Sequence, residues 1–146
     1  PKIDYEIALS AKRAQGGDFF CGLTFPYLDS NATLILGGWG GALVGISSLD
    51  DFDASENETG DVYVFQENHW YDVRLRVTKA KFEAWLDKKK IVDCEIDNRK
   101  VSMRSGEVEL SAPLGFCTYA TKGVLRDIRI RKLSPKEISS SANKKL

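Results

Sequence analysis

The most chemically suggestive stretch of the chain is Gly37-Gly38-Trp39-Gly40-Gly41. Glycines on both sides leave an indole face unencumbered and let another backbone come close. Sugars present an apolar C–H face that stacks well on an exposed indole, so Trp39, with Gly38 and Gly40 granting access, suits a carbohydrate site carried on a loop of a rigid scaffold. The same stretch would equally serve as a buried Trp plugging the mouth of a fold, with Gly allowing the turn. The second feature is Asp50–Asp61, DDFDASENETGD, with six carboxylates in twelve residues and no base. Clustered acids repel unless something neutralises them, and an oxygen-rich loop suits calcium, with Asp51, Asp53 and Glu56 as the candidate ligands. It is not an EF-hand, because Glu56 falls where that loop requires Gly. A hydrated acidic loop is the competing reading, and a catalytic carboxylate pair drawn from Asp50, Asp53, Glu56 and Glu58 is a third. With Trp39 as a stacking platform, Asp18, Asp50, Asn57 and Glu58 are the candidate hydrogen-bonding partners for ligand hydroxyls.

Other reactive types carry weaker signals. Cys21, Cys94 and Cys117 form an odd set without CxxC spacing, and each lies in an apolar run, so packing as small hydrophobes is the simplest expectation. The single histidine, His69, has no recognisable nucleophile in a triad setting and reads as a strand-edge residue. No phosphate loop is present, since the glycine run lacks the Lys and Ser/Thr that such a loop needs. Trp85 lies on the polar phase of its run, and Phe20 is out of phase with Phe19, Cys21 and Leu23, so both are expected on an outer face. Trp70 is expected to anchor the core, and Arg126 to form a buried pair with an acid.

The elements that position these residues are strands. Tyr71, Val73, Leu75 and Val77 alternate with Asp72, Arg74, Arg76 and Thr78, the period of a strand with one buried and one wet face. The runs 82–86 and 92–96 repeat the pattern after short turns, which predicts a three-stranded meander over 69–97. Residues 3–9, 19–25, 33–36, 42–46, 62–65, 107–110, 114–119 and 124–131 complete the set, and no segment shows helical spacing over three turns. Many short strands punctuated by turns predict an all-β, antiparallel two-sheet sandwich.

Length and composition fit that reading. A chain of 146 residues makes one domain, and 42% hydrophobic residues exclude wholesale disorder. Twenty-one basic residues balance 21 acidic ones, so no global charge points to nucleic acid or an anionic surface. No stretch approaches the length of a membrane helix. The chain opens at Pro1 directly into a strand-like pattern, and is expected to be a mature or excised piece. Residues 133–146, LSPKEISSSANKKL, have almost no apolar pattern, so the domain is expected to span 1–132, with 133–146 as a flexible tail or linker.

At this point the residues resemble a known group. HWYDVRLRVTKAKFEAWLDKKKIVD resembles the W-x-x-(V/I)-x-(V/I)-x-V … W-(L/I)-(D/N)-G-x-x-V-x-D meander of concanavalin A-like, LamG-type sandwiches. VLRDIRIRKL resembles the F-R-N-I-R-I strand that closes DUF1080 domains, the 3-keto-disaccharide hydrolase-like group. The segments DFFCGLTFP, ILGGWGG and DASENET look like a planctomycete branch of that group. The resemblance covers roughly residues 3–132 and implies a concanavalin A-like jelly roll. It also implies an exported, multidomain parent at a periplasmic, cell-surface or extracellular location. The Asn31 and Asn57 sequons would be coincidental in such a bacterial protein. The family's N-S-G-(I/V)-F-F-R is replaced by Phe19–Phe25, and its G-Y-E-x-Q by Thr33–Gly40, so no catalytic residue carries over. The expectation is a non-catalytic domain binding a glycan or oligosaccharide beside neighbouring domains of its parent, with calcium as the one cofactor to test. A glycoside hydrolase-like domain acting on a modified disaccharide and an assembly module are the alternatives.

Overall fold

The computed structural model of the chain describes residues 1–142. Its strands are β1 (Tyr5–Gly16), β2 (Cys21–Tyr27), β3 (Ser30–Gly38), β4 (Leu43–Ser47), β5 (Asp61–Val62), β6 (Tyr71–Val77), β7 (Lys81–Leu86), β8 (Lys89–Glu95), β9 (Gly115–Cys117) and β10 (Thr121–Lys132). They form two antiparallel sheets of five, sheet I in the order β10-β1-β6-β7-β8 and sheet II in the order β5-β4-β3-β2-β9. The protein is an all-β two-sheet sandwich.

The alternation does what its period requires. In the β6–β7–β8 meander, Val73 pairs with Leu86, Leu75 with Ala84 and Ala84 with Val92, so the apolar positions share one face. That face meets Leu23, Phe25, Leu34, Leu36, Val44 and Ile46 of sheet II across a single core. Aromatic contacts join the sheets: Phe25 and Tyr27 each meet the Phe82 ring edge-on at 5.0 Å. At the other end of the core, Phe20, Phe65 and Tyr71 form a second cluster.

Several expectations are corrected. Phe20 belongs to the core, 1% exposed, while Phe19 turns outward. Phe20 precedes β2 and bonds through its amide to the Leu36 carbonyl, beside the bulge between Leu36 and Gly38 where the alternation slips. Trp70 is not a core anchor, since Tyr71 takes the inward phase. Trp70 is held between the Lys12 ammonium, 4.8 Å from its ring, and the Arg126 guanidinium at 3.9 Å. Arg126 therefore stacks on an indole rather than entering a buried ion pair, and its contact with Asp127, at 3.9 Å, is exposed. Residues 107–110 lie in a 3-10 helix, Glu107–Ser111, with no buried residue.

The expected tail is also different over most of its length. Leu133 is buried, and Pro135–Ala142 form a helix, α1. Ser134 and Glu137 make a reciprocal capping box: the Glu137 amide donates to Ser134 Oγ, and the Ser134 amide donates to Glu137 Oε1. Pro135 occupies the first helical turn, where its missing N–H costs nothing. The helix docks by polar contacts, with Glu137 accepting from Arg76 and Arg131 and Ser141 donating to the buried Glu83. Residues 143–146, the rest of that expected tail, lie outside the described residues.

Candidate functional site

Sheet II has mostly small side chains on its outer face. Gly22, Ile35 and Gly45 form one row across β2, β3 and β4, and Thr24, Thr33 and Ser47 form the next. Glycine is required in the first row, because a Cβ on Gly22 would lie 2.7 Å from Cys117 Sγ. The segment after β8 folds back over this face. Ser102 exchanges backbone bonds with Ser48, and Thr24 Oγ1 shares hydrogen bonds with Thr33 Oγ1 at 2.8 Å and Ser111 Oγ at 2.6 Å. Between sheet and segment lies a cleft of about 690 Å³, within the size range of small-ligand sites.

The cleft is aromatic at its rim and hydroxylated at its base. Phe19 and Tyr119 stack at 6.4 Å, and Trp39 is 42% exposed with the Arg104 guanidinium 4.8 Å from its ring. Asp18, Arg104 and Glu107 bring charge to the lining, and Thr33, Ser47, Ser105 and Thr118 bring hydroxyls.

The glycine loop that presents Trp39 is pinned from below. Gly37 at φ 86°, Trp39 at 46° and Gly40 at 87° are all left-handed, a conformation that glycine makes accessible at two of the three. Asp18 accepts from the Phe19 amide at 2.8 Å and the Gly40 amide at 3.2 Å, tying the β1–β2 turn to the loop. Arg13, only 6% exposed, donates to the carbonyls of Asp18, Gly37 and Gly41. A Cβ on Gly37 would stand 2.5 Å from its Nη2, so that glycine is what lets the guanidinium in.

Of the residues expected to bind ligand, Asp18 and Trp39 line the cleft; Gly40 bonds to Asp18, and Gly38 packs over Ile35. Asp50, Asn57 and Glu58 do not line it. Asn57 is spent within its own loop, donating to the Ile46 and Phe52 carbonyls and accepting from the Thr59 amide. Asp50 and Glu58 both grip Arg99. The Lys100 amide and Arg99 hold the Asp50 carboxyl below its ordinary range, and Arg99 does the same for Glu58. Carboxyls held ionised in this way are poor proton donors at neutral pH.

The acids proposed for calcium are dispersed. Asp51 pairs with Lys100 at 2.7 Å, Asp53 accepts from the Ser55 amide at 3.0 Å, and Glu56 is exposed. Among the described residues no group of three or more His, Cys, Asp or Glu side chains converges in a way that could hold a metal ion. The bases missing from the acidic run are supplied by Arg99 and Lys100, some forty to fifty residues downstream of their partners.

His69 is exposed and meets the Tyr71 ring edge-on at 4.7 Å. Trp85 does lie on the polar face of sheet I, covered by Arg74 at 4.0 Å and Lys90 at 5.3 Å. All three cysteines are free. Cys21 faces the core, and burial pushes its thiol up to about 12. Cys94 is also buried, with its thiol pushed up to about 11. Cys117, paired with Gly22, faces the cleft, and burial raises its thiol as well.

Sequence reasoning missed Arg13, Phe19, Arg104, Glu107 and Tyr119 as parts of this site. Arg13 had a signal, because it continues the inward phase of Tyr5, Ile7, Leu9 and Ala11 and so places a charge where the core should be. Arg104 lies in no strand-like run, and Glu107 and Tyr119 fall in runs that read as strands but lie outside the strands of the structure. A scan of the chain against protein-family models finds no match, and a search of curated proteins finds none either.

Proposed function

We propose that the protein is a non-catalytic carbohydrate-binding domain whose site is the cleft on the outer face of sheet II. The observation that carries this reading is the pairing of exposed aromatic rings, Trp39 and Tyr119, with Asp18, Arg104, Glu107 and several hydroxyls around one 690 Å³ cleft. Rings take the C–H faces of a sugar; bidentate charged groups and hydroxyls take its O–H groups. The sequence resemblance adds that such a domain belongs to an exported multidomain parent. The hydrolase-like alternative has less behind it: Asp50 and Glu58 are held ionised outside the cleft, and both oxygens of Asp18 already accept backbone amides.

A glycan array probed with the purified protein, with and without calcium, tests the reading. A hit is expected to shift indole fluorescence, to slow alkylation of Cys117 in the cleft, and to weaken about tenfold or more in Trp39→Ala. Circular dichroism checks that the variant keeps its fold. Silence across the array, or binding that Trp39→Ala leaves intact, overturns it.

A further inference from the structure

β10 is an edge of sheet I, and it is twelve residues long. Its first half is covered: a Cβ on Gly123 would lie 2.1 Å from the Phe20 carbonyl oxygen, so this half runs tight against the β1–β2 connection. Its second half is not. A bulge at Asp127, φ 56°, resets the phase, and beyond it Ile130 pairs with Ile7 and therefore turns to the core side of the sheet, as Ile128 does two residues earlier. Both should be buried by that position, yet Ile128 is 54% and Ile130 47% exposed.

Tyr5, which pairs with Lys132, donates through its Oη to the Pro26 carbonyl, so the Lys132 end of β10 stands opposite Pro26 of β2. β9, the strand beyond β2, pairs only with Gly22–Thr24 and ends before reaching that level. Among the described residues the cover over Ile128 and Ile130 is incomplete, and no strand pairs with the outer edge of β10.

The charge on the strand selects what could fill the position. β10 carries Lys122, Arg126, Arg129, Arg131 and Lys132 against Asp127 alone. On its outer face Arg129 and Arg131 stand opposite Ala8 and Glu6 of β1, and Glu6 and Glu137 engage Arg131. A second copy fits poorly where it would pair Ile128 with Ile130 or Ile130 with itself. A two-fold centred on Arg129 or on Ile130 would set Arg129 opposite Arg129 or Arg131, and like charges directly opposite destabilise a pair. Basic side chains and a bulge also guard an edge against indiscriminate pairing, but guarding does not account for two isoleucines bare on the core face.

We infer that the second half of β10 accepts an extended polypeptide segment of alternating apolar and acidic residues as an added sixth strand of sheet I. Its apolar side chains cover Ile128 and Ile130, its acidic ones meet the arginine face, and its backbone completes the open edge, the pattern of strand addition. This site is separate from the cleft and does not depend on what the cleft binds.

The test uses two fluorescein-labelled octapeptides on the whole protein, one alternating Val with Glu and one alternating Val with Lys. The Val/Glu peptide is expected to bind by fluorescence anisotropy, more weakly as salt rises, and to protect amides of residues 126–132 from hydrogen exchange. The Val/Lys peptide is expected not to bind. Ile128→Asp with Ile130→Asp is expected to weaken binding about tenfold or more, and Arg129→Glu to shift preference toward the Val/Lys peptide while leaving the exposed apolar pair in place. No binding, equal binding of both peptides, or protection elsewhere overturns the inference. So does a dimer in sedimentation that the double variant dissolves, which would make a second copy the occupant.

Discussion

At the scale of single residues, the glycine loop beside the cleft is held by a side chain that does not line the cleft. Arg13 occupies a core position, and among the described residues it has no carboxylate within ion-pair distance. Its guanidinium is satisfied by three backbone carbonyls instead, two of them in the glycine loop. It also lies against the Phe20 ring at 5.2 Å, so the charge is shielded by an aromatic face. This explains why the loop can hold four positive-φ residues, Gly37, Trp39, Gly40 and Gly41, in one geometry. Replacing Arg13 by Met fills the volume but leaves those carbonyls without a donor. A loss of about 2–4 kcal/mol is expected, measured by urea denaturation. Trp39 emission should also shift to the red in the native baseline, because the loop is no longer tied down. Unchanged stability with unchanged emission would show that the carbonyls find other partners and that the loop holds itself.

At the scale of elements, α1 is the informative case. Arg131 first, then the Ser134 amide, holds the Glu137 carboxyl far below the usual carboxylate range. A carboxyl depressed in the folded state contributes stability that is present above its unfolded pKa, about 4.3, and is lost as pH falls through the folded value. The gap in melting temperature between the native chain and Glu137→Gln should therefore be constant from pH 7 to about 5 and shrink below pH 4. A gap that persists unchanged at pH 3 would show that Glu137 acts only through its helix-capping bond. The capping box, Ser134-Pro135-Lys136-Glu137, stands in the sequence, but the helix has no apolar stripe to announce a docking face. What docks it is ionic and comes from β6 and β10, which no local pattern reveals. The strands were legible for the opposite reason: burial on one face imposes period two, and the β6–β8 meander follows it apart from one slip at Ala84 and Trp85. The candidate site was half legible. Trp39 and Asp18 line the cleft, whereas the acidic run pairs with Arg99 and Lys100, some forty to fifty residues away and outside any local pattern.

At the scale of the molecule, the two sheets share one core and neither can be completed alone. β1 pairs with β10 along nearly its whole length, so sheet I closes only when the two ends of the fold meet. Sheet II takes β9 from just before β10. Such long-range pairing makes folding slow, on the order of milliseconds to seconds, and makes unfolding cooperative. Aromatic contacts reinforce this at both ends of the core, Phe25 and Tyr27 against Phe82 at one and Phe20 and Phe65 against Tyr71 at the other. Separating the sheets would expose all of these rings together. Two single-tryptophan variants read the two sides: one keeps Trp39, on the loop after β3 of sheet II, and the other keeps Trp85, on the outer face of sheet I. Their urea transitions are expected to coincide in midpoint and slope, as all-or-none unfolding requires. If the Trp39 transition comes first, the glycine loop and the cleft melt as a local unit while the sandwich persists. The cleft would then be ordered by its ligand rather than built in advance. Coincident transitions would mean that the fold itself holds the aromatic rim in place, and that affinity at the cleft and stability of the core are set by the same contacts around Arg13.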